Sequence, residues 1–290
     1  MLRLTVKFRL FPLVNAVVLS FVAFVALYPF LYMVNISLSD SVSVMKGEVN
    51  WWPKGVNFRM YEIVLGDPRI WTGYANSVKY TVLGTAVALF VTSFGAYALS
   101  KKKMALRKTF TLMIVFTMLF SGGMIPTFLV VKSLGMLNTI WAMVLPGAVN
   151  TWYLIIMRTF FSEFPSELEE AGKIDGLTDL GIFLRIVIPL SKAVFATIGL
   201  FYAVGIWNNF LAPLMYLRLP ELFPLQVILR EIVLLGKPGM NQATVGGDDL
   251  ILEDSLRFAT IVVSTVPILL VYPFLQKYFV QGAMIGSLKG

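Results

Sequence analysis

Six long stretches of this chain contain no charged residue: Leu10–Ser39, Tyr80–Ser100, Thr109–Val131, Ser133–Met157, Ala193–Leu217 and Phe258–Gln276. Each meets or approaches the roughly 20 apolar residues that carry a helix across about 30 Å of hydrocarbon. Lipid offers no partner for exposed backbone groups, so helices are the economical way to cross it. The alternative, six buried helices of a soluble core, leaves too few residues to cover them. Only 14% of the 290 residues are charged, where a soluble domain carries about 25%. The prediction is an all-α membrane protein, one domain over 1–290, with spans at about 11–36, 74–100, 109–132, 138–161, 193–217 and 257–277.

Charge placement orients these spans. The 24 basic residues outnumber the 16 acidic ones. Arg3, Lys7 and Arg9 precede the first span. Lys101, Lys102, Lys103, Arg107 and Lys108 follow the second. Arg158, Lys173, Arg185 and Lys192 follow the fourth, and Lys277 and Lys289 follow the sixth. With six spans these segments share one face, which the positive-inside rule makes cytoplasmic, with both termini. The basic excess is therefore a topology signal rather than a nucleic-acid footprint. The long apolar run near the N-terminus exceeds a signal-peptide core and lacks a clear cleavage site, so it is predicted to be an uncleaved helix.

Several function classes fall away. The chain has no Cys and no His, hence no thiolate chemistry and no imidazole base or metal ligand. No metal site is expected. The acidic residues lie in loops or at helix ends, whereas proton-coupled transporters keep ionisable groups inside the membrane. Lys79 lies close enough to a span end to snorkel. No G-x-x-x-x-G-K-[ST] occurs, so a pump built on this chain needs a partner that hydrolyses nucleotide.

Some segments carry two readings. Trp51 and Trp52 suit interfacial anchoring. Gly122, Gly123 and Pro126 weaken the third span, either for close packing or to break a helix beside a cavity. Polar and aromatic residues cluster in the fourth and fifth spans: Asn150, Trp152 and Tyr153, then Tyr202, Trp207, Asn208 and Asn209. An amide in hydrocarbon needs a partner, so these residues either contact a polar substrate or bond helix to helix. The loop 218–256 opens with an amphipathic piece, Leu222–Leu235, and continues through Gly246, Gly247 and Asp248.

The most informative segment is the cytoplasmic loop 162–192. Ser166 and Glu169 have capping-box spacing, and Glu167, Glu169 and Glu170 suit the positive end of a helix. That helix is expected to run to about Ile174. Asp175-Gly176 should stop it, with Gly176 left-handed. A second helix should start at Thr178 or Asp179 and end before Pro189. Ala171 and Gly172 are expected on the surface, where small residues permit close approach. Physics alone leaves docking into a partner's groove and an ordinary solvated loop both open.

Here the residues resemble a known motif. Glu170-Ala171-Gly172, then Gly176, then Ile186-Val187-Ile188-Pro189 is similar to the EAA motif of ABC importer permeases: E-A-A, three residues, G, nine residues, I-x-L-P. Gly172 replaces the second Ala and Ile188 replaces Leu. Gly122–Pro126, Trp207–Phe210 with Pro213-Leu214, Pro224–Gln226, Gln276–Gly282 and Gly286–Gly290 resemble the carbohydrate branch, like the second maltose permease subunit. The outer loops and tail look closest to oligosaccharide and uronide permeases such as the alginate importer. The resemblance implies the type I importer fold with a coupling-helix loop. It implies a heterodimer with a homologous permease, two ABC ATPase subunits that bind ATP and Mg, and an extracytoplasmic solute-binding protein. Glu170, Ala171, Gly172, Asp175 and Gly176 would meet the ATPase, and Gly246, Gly247 and Asp248 the binding protein. An amino-acid or peptide permease, or a scaffold or channel without an ATPase, are the competing readings.

Overall fold

The computed structural model describes residues 10–235 and 253–287. Among the described residues there is no strand. The helices are, in order, α1 (Leu10–Leu38), α2 (Ser41–Met45), α3 (Arg59–Gly66), α4 (Pro68–Ser100), α5 (Arg107–Leu119), α6 (Met124–Ser133), α7 (Ile140–Val144), α8 (Thr151–Ser162), α9 (Ser166–Ile174) and α10 (Asp179–Ile182). A π-helical segment, Phe183–Val187, leads into α11 (Ile188–Leu190). Then come α12 (Lys192–Trp207), α13 (Leu211–Tyr216), a 3-10 turn at Pro220–Leu222, α14 (Leu225–Leu235) and α15 (Glu253–Ser287).

Among the described residues, three helices are long and apolar enough to cross a membrane: α1 from Phe11, α4, and α15 over Asp254–Val271. Two bent pairs raise the tally to five if each is one span. The other expected spans are interrupted, each for a local reason. The third breaks between α5 and α6, which meet at 116°. Gly123 stands there at φ 85°, ψ 177°, a region essentially closed to other residues. The fourth is split into α7 and α8 by Pro146-Gly147, a pair that removes a helix donor and weakens helix propensity. Asn150 then caps α8, its Oδ1 accepting from the amides of Trp152 (3.0 Å) and Tyr153 (3.3 Å). The fifth stops at Trp207 and restarts at Leu211. Pro213 has no N–H to continue the ladder, and Asn209 Oδ1 takes the Ala212 amide at 3.2 Å instead.

The described residues form two compact units, 10–68 with 231–235 and 253–266, and 69–230 with 267–287. In the first, nearly every large side chain of α1 from Phe11 to Leu31 is exposed, as suits a helix facing lipid or a partner helix. Trp51 packs against this helix, 4.8 Å from the Tyr28 ring and 5.8 Å from Phe24. The segment after α1 is pinned by Asp40 N–H to Lys54 O (3.0 Å) and Asn57 N–H to Leu38 O (2.9 Å).

In the second unit, α4 is the central element. One end grips residues 221–225. Asn76 Nδ2 donates to the carbonyls of Glu221 (2.8 Å) and Phe223 (3.1 Å), and Tyr80 to that of Leu222 (2.8 Å). Gly73 leaves room for the Leu225 backbone. The other end carries the core: Ala96, Tyr97, Leu154, Met157, Ile182, Phe183 and Ile198 are buried together. This apolar contact of α4 with α8, α10 and α12 fixes where the 162–192 loop leaves the bundle.

Candidate functional site

The loop is a hairpin of two helical arms. The first, α9, starts after Pro165, which has the extended φ −58°, ψ 136° of a helix entry. Ser166 is the first helical residue, so the expected capping box does not form. A box needs the N-cap's backbone N–H, and proline has none. Glu169 pairs instead with Lys101 of the segment after α4. Gly176 closes the arm at φ 76°. Its N–H reaches Lys173 O (3.0 Å) and that of Leu177 reaches Gly172 O (2.9 Å), the two bonds of a Schellman turn.

The second arm starts at Thr178, whose Oγ1 accepts from Gly181 N–H at 3.2 Å. It does not end before Pro189. Residues 183–187 wind as a π-helix, with Ile188 N–H bonded to Phe183 O, and the arm continues to Leu190. It meets α12 at 83°. The wider turn carries the arm past Pro189, which lacks the donor an α-helix would require.

The place of Gly172 also differs from the expectation. It is buried between the arms, not displayed on the surface. A Cβ there would lie 2.9 Å from Ile182 Cγ1 and 3.2 Å from Ile186 Cδ1. Its smallness lets the hairpin close on itself. The other residues expected at the docking surface, Glu170, Ala171, Asp175 and Gly176, are all exposed. Ile174 belongs with them, 86% exposed at the tip of α9. Sequence reasoning missed it, although an isoleucine beside the predicted Asp175-Gly176 stop was the available signal.

Tyr97 at α4's far end and Lys101 just beyond it together touch both arms. Lys101 Nζ pairs with Glu169 and lies 4.0 Å from the Tyr97 ring centroid. Tyr97 Oη donates to Asp179 O at 3.3 Å, and its ring stacks on Phe183 at 4.6 Å. The cleft around them holds about 720 Å³ and is rimmed by Lys102, Lys103, Glu170 and Lys173.

The polar residues of the fourth and fifth spans form two groups. Asn150, Tyr153 and Tyr202 come together. The Tyr202 hydroxyl accepts from Asn150 N–H (2.9 Å) and bonds Thr92 Oγ1 (2.7 Å), and the Tyr153 ring meets it edge-on at 4.9 Å. Tyr202 is buried, while Trp152 is exposed. Trp207, Asn208 and Asn209 lie at the α12–α13 break. Asn208 Nδ2 donates to Val204 O (3.0 Å). The buried indole N–H of Trp207 has no partner among the described residues. Gly246, Gly247 and Asp248 lie outside the described residues.

Residues 101–285 match the family described as binding-protein-dependent transport system inner membrane component. The chain belongs to this family. The permease is 43% identical over 286 residues to the polygalacturonan/rhamnogalacturonan transport system permease protein YtcP of Bacillus subtilis (strain 168), covering 98% of this chain and 100% of the relative. It is 29% identical over 276 residues to the arabinooligosaccharides transport system permease protein AraQ of Halalkalibacterium halodurans, covering 93% and 94%. It also superposes on a chain from the crystal structure of a bacterial ABC transporter involved in the import of the acidic polysaccharide alginate. There the TM-score is 0.87 and the identity 38%, over 93% of this chain and 97% of that one. The permease is thus a multi-pass membrane subunit of an ABC importer, with the type I importer fold. It works with a separate ATPase and a solute-binding protein, and is a transporter subunit rather than an enzyme.

Proposed function

We propose that this permease imports oligosaccharides carrying uronic acids and is driven through α9. The observation that carries the cargo is the pattern of likeness. Over nearly its whole length the chain is well above AraQ in identity to YtcP and to the alginate transporter chain. Polygalacturonan and alginate share ring carboxylates, which a neutral arabinooligosaccharide lacks. The same pattern favours carbohydrate over an amino acid or peptide.

The permease pairs with a homologous one. Two ATPase subunits hold ATP and Mg, and both termini lie in the cytoplasm with the basic segments. The 162–192 loop then faces the ATPase. Glu170 meets a basic residue there, while Ala171 and Gly176 keep the surface low enough for Ile174 to seat in a groove. Gly172 and the Schellman turn make the hairpin stiff. Closure of the ATPases moves it as one piece, and α12, joined to it at Ser191, follows. Asn150, Trp152, Tyr153, Tyr202, Trp207, Asn208 and Asn209 belong to the polar lining or bracing of the path. The loop 218–256, including Gly246, Gly247 and Asp248, faces the binding protein outside.

The test is ATPase stimulation in proteoliposomes containing both permeases, the ATPase and the binding protein. Oligogalacturonates or alginate oligosaccharides should stimulate hydrolysis, while arabinooligosaccharides, lactose and peptides should not. Stimulation by neutral sugars or peptides alone overturns the cargo reading.

A further inference from the structure

We propose that Lys101 and Tyr97 are positioning residues that transmit the motion of the ATPase-docking hairpin to α4; this rests on the docking reading above. Lys101 lies just beyond the last residue of α4 and Tyr97 within its last turn. Lys101 holds the first arm through Glu169. Tyr97 holds the second through Asp179 O at 3.3 Å and through the ring of Phe183, itself 1% exposed. The Lys101 ammonium sits 4.0 Å over the Tyr97 ring, which ties the two grips into one.

Three physical points make this a transmission element. The Lys101 and Glu169 side chains are only 21% and 30% exposed, so water and salt screen their attraction less than at an open surface. A cation over a phenol ring adds attraction that strengthens with desolvation. The hairpin between the grips is closed on itself at Gly172, so a push on its outer surface reaches both arms together. α12 continues covalently from the second arm. The Lys101–Tyr97 grip gives α4 a separate, noncovalent link to the same hairpin. Its neighbours Lys102 and Lys103 are exposed, which leaves Lys101 as the lysine of the three turned inward.

The experiment uses the complete importer in proteoliposomes and reads sugar transported per ATP hydrolysed, alongside the ATPase that co-purifies. Lys101→Met should keep the ATPase bound and lower the transport ratio about fivefold or more, within the usual range of coupling between sites. Lys101→Arg should retain most of the ratio. The charge swap Lys101→Glu with Glu169→Lys should recover part of what either single change loses, and Lys102→Met should match the wild type. A wild-type ratio in Lys101→Met with ATPase bound overturns the proposal. So does equal loss in Lys101→Met and Lys101→Arg with no recovery in the swap, the mark of a merely structural role. Absence of ATPase from the wild-type complex overturns the docking reading itself.

Discussion

At Gly172 a hydrogen stands where a side chain would strike Ile182 and Ile186. Overpacking of this kind costs about 1–3 kcal/mol. Gly172→Val should therefore lower the melting temperature of the detergent-purified permease, and a wild-type melting curve would contradict the packing described. The left-handed role of Gly176 was legible, because Asp-Gly after an amphipathic turn leaves few alternatives. The buried role of Gly172 was not, because its neighbours arrive from the other arm of the hairpin. The capping box failed for a reason one residue away, at Pro165. Asp40 offers a pH test. Its carboxylate accepts the Ser43 N–H (2.8 Å) and then the Ser43 hydroxyl (2.8 Å), which hold its pKa below the usual value. The stabilisation is full above the unfolded-state pKa and is lost as pH falls through the lower folded one. Protection of the Ser43 amide, its exchange rate relative to the intrinsic rate at each pH, should persist to a lower pH than an ordinary carboxylate would allow and then be lost. In Asp40→Ala it should be lost already at neutral pH.

The apolar elements were legible because an uncharged run of this length has few other uses. Where each run breaks was less so. Gly122-Gly123 with Pro126 is compatible with a kink or a break, and only the 116° turn between α5 and α6 decides it. Pro146 and Pro213 lie within uncharged runs, where hydropathy hides them. These breaks also explain why the role of the polar residues in the fourth and fifth spans was hard to judge. The amide oxygens of Asn150 and Asn209 are spent on restarting helices. Gly123 gives the sharpest test at this scale. No heavy atom lies near its missing side chain, so the strain in Gly123→Val is that of the backbone, about 1–3 kcal/mol. Uptake and melting temperature should both fall; unchanged values would contradict the break.

For the whole molecule, the class of function was legible from one loop and several absences. The EAA-like spacing, no P-loop and no intramembrane carboxylate together point to a permease driven by another subunit. The carbohydrate class of the cargo was legible only through the resemblance of Gly122–Pro126, Trp207–Phe210 and the tail, since the polar residues of the spans serve each other as readily as a sugar. In the proposed coupling, the outward face of α9 seats on the ATPase. The chain has no native cysteine, so a single engineered thiol reports its own contact. In membranes holding the complete importer, Glu170→Cys and Ile174→Cys should each cross-link to the ATPase subunit. Trp52→Cys, on the segment between the first two spans, which the positive-inside rule puts on the opposite face, should not. An Ile174→Cys permease that retains its ATPase yet forms no cross-link, or a cross-link from Trp52→Cys, would contradict the account.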